Sequence, residues 1–171
     1  LTQEWVATAA RAVTKYYGRF PVSHVFVRIR AAEGNRIGSG KTFGTRSGGV
    51  ITVSVGRSAG AASFRADWLM THEMVHLAFP SVPDKHHWIE EGLATYVEPI
   101  ARVQIGNLKG RQVWSDLERD LPQGLPEAGD HGLDFTPTWG RTYWGGALFC
   151  FLADMKIHQQ TANAKGLQDA L

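Results

Sequence analysis

Residues 67–80 read DWLMTHEMVHLAFP and residues 86–96 read HHWIEEGLATY, and these two segments decide our interpretation of the fold. The first contains an H-E-x-x-H motif at 72–76 without an interior Gly or Pro. Side chains four residues apart lie on one face of an α-helix, so His72 and His76 can bind a common zinc ion. Glu73 can then act as a general base toward the attacking water. For an isolated motif, two helix histidines without a metal remain the alternative.

A catalytic zinc site needs a third protein ligand and one open coordination position. The metzincin pattern requires Gly and then His at the positions that Phe79 and Val82 occupy here, so the sequence excludes that class. The third ligand can instead be a carboxylate on a second helix, and Glu90 and Glu91 are two adjacent candidates. His86 and His87 are rival ligands, but a loop rich in Pro and charge favours a surface or substrate-side role for them.

The segments HEMVH and WIEEGLATY together resemble the gluzincin metallopeptidases, especially the aminopeptidase-N-like and peptidase MA-like group. The second motif of that group reads W-x-x-E-G-x-A, and the resemblance implies Glu91 as the zinc ligand, with Glu90 next. The resemblance also places Thr95 where the family has a small polar residue that supports a zinc histidine. An ordinary surface Thr is the alternative. The loop that joins the two motifs is shorter than in the large aminopeptidases.

A third similarity lies in RTYWGGA, residues 141–147. Gluzincins of the aminopeptidase type have Tyr-x-Lys-Gly-Ala here, which implies that the Tyr143 hydroxyl donates to the oxyanion of the tetrahedral intermediate. A phenol suits that role because it donates a hydrogen bond while it stays neutral near pH 7. Gly145 departs from the family's Lys. The alternative is a Tyr that packs at the start of an apolar helix.

Composition narrows the class of protein. With 171 residues, 43% hydrophobic and 20% charged, the chain fits one compact catalytic domain over 1–171. A net charge of +2 without a basic run argues against a nucleic-acid partner, and no apolar stretch reaches the roughly 20 residues of a membrane span. The start at Leu1 fits a removed signal peptide, and hence a periplasmic or secreted protein, or else a shortened chain. A helical start after residue 166 suggests that the natural chain continues.

Hydrophobic periodicity predicts an α+β fold with a small mixed or antiparallel sheet on the H-E-x-x-H helix and a helical C-terminal half. The resemblance to the gluzincins implies that this fold is zincin-like. Thr2 is a candidate cap for the first helix, and the lone Cys150 is expected as a buried thiol that forms no internal disulfide. The predicted elements are strands over 22–30 and 50–55 and helices over 2–17, 64–79, 88–103, 111–121 (with Trp114, Leu117 and Leu121 on its apolar side) and 142–160.

Two further segments bear on substrate binding. Zincin peptidases bind an extended substrate against the edge strand beside the metal helix, and either 40–45 or 50–55 is expected to provide that edge. The G-x-M-E-N signature of the large aminopeptidases is missing, so their specificity is not carried over. The loop 122–140 is expected to line the rim of the cleft. The residues expected to be solvated there are Asp130, His131 and Asp134.

The sequence thus predicts a zinc peptidase that acts on a peptide or protein substrate. Two alternatives remain open: a gluzincin-like module that binds zinc without hydrolysis, and a non-peptidase hydrolase on the same scaffold that acts on an amide or epoxide.

Overall fold

The computed structural model describes residues 1–45 and 48–171, with the backbone alone at Thr45. The chain forms two compact units, Leu1–Pro80 and Ser81–Leu171. The first contains three helices and a sheet, and the second is helical. This architecture confirms the α+β class, the small mixed sheet and the helical C-terminal half. The zincin-like arrangement and the single catalytic domain over 1–171 stay predictions.

Helix α1 (Thr2–Tyr17) lies where the periodicity predicts it. Gly18 ends the helix with a φ of 74°, a left-handed conformation that costs glycine little. The helix begins after Leu1, and no side chain caps it, so the predicted cap at Thr2 is wrong. One face of the helix is buried and carries Trp5, Ala9, Val13 and Tyr16.

Three strands form a mixed sheet in the order β1-β3-β2. Strand β1 (Val25–Ala32) runs parallel to β3 (Gly48–Gly56), and β2 (Ile37–Thr45) runs antiparallel to it. Ile51 and Val53 of β3 are fully buried. Because β3 is the central strand, the alternative that placed the substrate edge at 50–55 is wrong. Strand β2 is an edge strand and contains the other candidate, 40–45.

The predicted helix over 64–79 is divided into α2 (Ala61–Ala66), α3 (Leu69–Val75) and a 3₁₀ turn (His76–Ala78). The break falls at Asp67, which is extended. One oxygen of its carboxylate accepts hydrogen bonds from the Met70 backbone N–H at 3.0 Å and from an indole of α1 at 2.8 Å. The carboxylate therefore satisfies an N–H that a new helix leaves without a partner.

Helix α3 is buried along its whole length. It contacts α1, β2 and β3, so the prediction of a buried helix packed against the sheet is confirmed. Helix α3 contains the motif as far as Val75, and the second histidine, His76, is the first residue of the 3₁₀ turn.

The second unit contains α4 (His87–Gln104), α5 (Gly110–Asp120) and α6 (Gly146–Gln160), and a π-helical turn over Gly140–Gly145 leads into α6. These helices confirm the predictions over 88–103, 111–121 and 142–160. Helices α4 and α6 pack together. A Cβ on Gly92 would lie 2.2 Å from the carbonyl carbon of Gly146, so the two backbones meet there.

Two predictions about single residues have different outcomes. Trp114 is 61% exposed, whereas Val113 and Leu117 are buried, so the predicted apolar side of α5 is wrong at Trp114. Cys150 is buried as predicted, and this burial raises the pKa of its thiol to about 12.

Within the described ranges, no helix combines the length and the apolar character that crossing a membrane requires.

Candidate metal centre

The two histidines of the motif lie one helical turn apart at the end of α3. The centroids of the His72 and His76 rings are 4.9 Å apart, and the ring planes are at 81°. His72 is only 4% exposed and His76 is half-buried. The Trp68 ring packs edge-on against His72, with centroids 5.3 Å apart. The helix thus places both imidazoles side by side in a shielded setting, as the i, i+4 spacing predicts.

Glu91 lies in the second turn of α4 and is buried. One ligand atom from each of His72, His76 and Glu91 lies within 4.8 Å of the other two, and this group could hold a metal ion. Two imidazole nitrogens with one carboxylate oxygen form a donor set of catalytic zinc sites, where the ligand bonds are about 2.0–2.2 Å long. The three predicted ligands therefore come together, and their chemistry fits zinc.

Glu90, the other candidate for the third ligand, has a different partner. Its carboxylate accepts a hydrogen bond from the backbone N–H of Val82, and its second oxygen lies 3.8 Å from Nδ1 of His87. These contacts hold the loop before α4. Glu90 is not a member of the ligand group formed by the described residues, which favours Glu91.

The rival histidines before α4 contact carboxylates. Nε2 of His87 lies 3.1 Å from Oε1 of Glu91, and Nδ1 of His86 lies 2.8 Å from Oδ1 of Asp134. His87 therefore touches a candidate ligand from the solvent side, since its own side chain is half exposed. Among the described residues, neither histidine belongs to the ligand group itself.

The carboxylate of Glu73, the predicted general base, contacts the edge strand. The side chain is 5% exposed. The hydroxyl of Thr42 lies 2.6 Å from Oε2 of Glu73 and 2.8 Å from the carbonyl oxygen of the same residue. Two residues earlier, a Cβ on Gly40 would lie 2.4 Å from Oε1. Neither contact was predicted from the sequence. The available signal was the period-2 spacing of Gly40 and Thr42, which puts both residues on one face of a strand.

Tyr143 lies half-buried in the π-helical turn before α6. Its ring stacks on Trp139, with centroids 5.7 Å apart and planes at 28°. A Cβ on Gly145 would lie 2.8 Å from Leu133 and 3.1 Å from the Gly124 carbonyl oxygen, so this chain has little room for the family's Lys. The catalytic role of Tyr143 stays a prediction.

Thr95 lies one turn after Glu91 on α4 and is half-buried. Its support of a zinc histidine stays a prediction.

The loop 122–140 is held by the buried carboxylate of Asp130 and the half-buried carboxylate of Asp134. The Asp130 side chain is 8% exposed and pairs with Nε of Arg141 at 2.6 Å. Asp134 accepts a hydrogen bond from the Trp88 indole at 2.6 Å. The hydrogen bonds from Trp88 and then from His86 lower the pKa of Asp134. The expectation that Asp130 is solvated is wrong, because its side chain is buried beside Arg141, whereas Asp134 is half-buried and accepts its hydrogen bond from Trp88. His131 is exposed as expected.

No family model, curated protein or solved structure matches the chain. The resemblance to the gluzincins therefore stays a prediction from the three sequence motifs.

Proposed function

We propose that this protein is a zinc-dependent peptidase of the gluzincin type, with His72, His76 and Glu91 as the zinc ligands. The observation that carries the proposal is the grouping of these three side chains, whose ligand atoms lie within 4.8 Å of one another. Glu73 lies between two of these ligands in the sequence, and H-E-x-x-H chemistry requires its carboxylate as the general base.

The proposed mechanism uses residues in separate roles. Zinc would supply Lewis acidity to the scissile carbonyl and lower the pKa of a water toward about 7. Glu73 removes a proton from the attacking water as the new C–O bond forms. It then delivers this proton to the amine nitrogen as the C–N bond breaks. Tyr143 donates a hydrogen bond to the oxygen on which negative charge develops.

The sheet offers a place for an extended substrate. Strand β2 is an edge strand and contacts α3, so a peptide could add to its exposed edge by main-chain hydrogen bonds. The proposal does not include aminopeptidase specificity. The only carboxylate between β1 and α2 is Glu33, which is exposed and lies 3.6 Å from Arg57.

Metal analysis combined with peptide-library cleavage, read by mass spectrometry, tests the proposal. We expect one zinc per chain, bond cleavage by the wild type, and a loss of at least about 10²-fold in the Glu73→Gln variant with its zinc retained. Stoichiometric zinc without turnover would instead identify a binding module. Turnover only of small amides or epoxides, abolished by Glu73→Gln, would identify a non-peptidase hydrolase.

A further inference from the structure

Two residues of the edge strand face the predicted general base. Gly40 and Thr42 are two positions apart on β2, so both point to the same side of the sheet. Thr42 reaches Oε2 of Glu73 with its hydroxyl, and Gly40 lies against Oε1. Each carboxylate oxygen of Glu73 therefore has its own neighbour on β2.

The contact between Thr42 and Glu73 has the geometry of a strong hydrogen bond. A separation of 2.6 Å lies within the roughly 2.5–2.7 Å typical of a hydroxyl that donates to a carboxylate. The Glu73 side chain is almost completely buried, so water competes weakly for the same oxygen. A flexible Glu side chain is thus fixed at its far end.

The Thr42 hydroxyl has one proton and two acceptors within reach. The second is the carbonyl oxygen of Glu73, 2.8 Å away. The hydroxyl donates to one of these two oxygens at a time, and its proton can rotate from one to the other without movement of either residue.

We propose that Thr42 is a positioning residue for peptide hydrolysis, which holds Oε2 of Glu73 so that Oε1 receives and returns the proton. This inference rests on the proposed function. Its physical reason is that a misplacement of about 1 Å in a catalytic group can cost 10²-fold in rate. Gly40 contributes because any larger residue there would displace Oε1. The strand that would bind the substrate therefore also orients the base.

The test compares Thr42→Val, which removes the donor and keeps the branched shape, with Thr42→Ser, which keeps the donor. We expect Thr42→Val to lower kcat by roughly 10-fold or more, with KM and zinc content unchanged, and Thr42→Ser to stay within about 3-fold of the wild type. Thr52→Val is the matched control. Thr52 pairs with Lys41 rather than with Thr42, so its side chain lies on the opposite face of the sheet.

A second readout needs no activity. In the metal-free protein, Thr42→Val should lower Tm by at least about 2 °C in the wild-type background. In a Glu73→Ala background the same change should lower Tm by less, because the carboxylate acceptor is gone and only the backbone carbonyl of residue 73 remains. Equal effects in both backgrounds would overturn the inference.

The outcomes separate the two proposals. Absence of hydrolysis in the wild type would overturn the proposed function, and the catalytic part of this inference with it. Hydrolysis that Glu73→Gln abolishes but Thr42→Val leaves intact would overturn the role of Thr42 alone. A Thr42→Ser variant as slow as Thr42→Val would show that Thr42 acts through its shape, which also contradicts the inference.

Discussion

At the scale of single residues, Tyr143 is the part of the proposed mechanism that a conservative change tests most directly. Tyr143→Phe removes the hydroxyl and keeps the ring that stacks on Trp139. We expect kcat to fall by roughly 10²-fold, because a donor to the developing oxyanion is lost. Zinc content should stay at the wild-type value. Wild-type kcat in this variant would remove Tyr143 from the mechanism.

The ligand set is also decided by single residues. Glu90 and Glu91 are neighbours of the same type, and the sequence alone favours Glu91 only through the resemblance. The structure separates them by their partners. Glu90 binds the backbone of the loop at Val82, whereas Glu91 joins the two histidines in one group. His87 adds a contact to Glu91 at 3.1 Å, of the kind that orients a ligand carboxylate.

At the scale of elements, the contact between Gly92 of α4 and Gly146 of α6 leaves no room for a larger side chain at Gly92. Glu91 precedes Gly92, whose added Cβ would lie 2.2 Å from the carbonyl carbon of Gly146. Since backbone cannot give way as a side chain can, Gly92→Ala should push the helices apart and lower the free energy of unfolding by about 1–3 kcal/mol. Thermal and denaturant unfolding measure this effect. Gly110→Ala is the control, because nothing lies within 4 Å of its Cβ position, and a wild-type Tm for Gly92→Ala would contradict the prediction.

The loop between α5 and α6 gives stability a dependence on pH. The pKa of Asp134 is lowered by hydrogen bonds from Trp88 and His86. A carboxyl with a depressed folded-state pKa stabilises the fold above its unfolded pKa of about 3.9, and this contribution is lost as the pH falls through the folded pKa. Asp134→Asn should therefore lower Tm at pH 7, and its difference from the wild type should shrink on acidification to about pH 3.

Melting curves across this pH range check the sign. The exposed Glu127 lies in the same loop, and Glu127→Gln should leave the curves close to those of the wild type. A difference for Asp134→Asn that grows toward acid pH would contradict the assignment of its partners.

At the scale of the whole molecule, a metal that binds only the folded chain must raise its stability. Free zinc at 100 times its Kd would add about 2.7 kcal/mol, or roughly 5–10 °C in Tm for a chain of this size. A chelator should reverse the shift. The double variant His72→Ala/His76→Ala should not respond to zinc, whereas a change at the exposed His131 should leave the response intact. Equal responses in all three proteins would disprove metal binding at this group.

The features that the sequence by itself determined are those set by neighbours in the chain. The i, i+4 spacing of His72 and His76 places both rings on one helix face, and the apolar stripe and Gly18 define α1. These features follow from the local geometry of a helix and from the left-handed backbone conformation in which glycine ends it. For the same reason, the places of α4, α5 and α6 could be predicted to within a few residues.

Only the tertiary structure decided the features that depend on distant partners. The break before α3 arises because Asp67 binds Trp5, 62 positions away, so helix periodicity could not reveal it. Asp134 is held by Trp88, 46 positions away. Thr42 meets Glu73 because β2 is an edge strand beside α3. Local propensity cannot encode these pairings, since a polar side chain in a loop or strand can be solvated or bonded equally well until the chain folds around it.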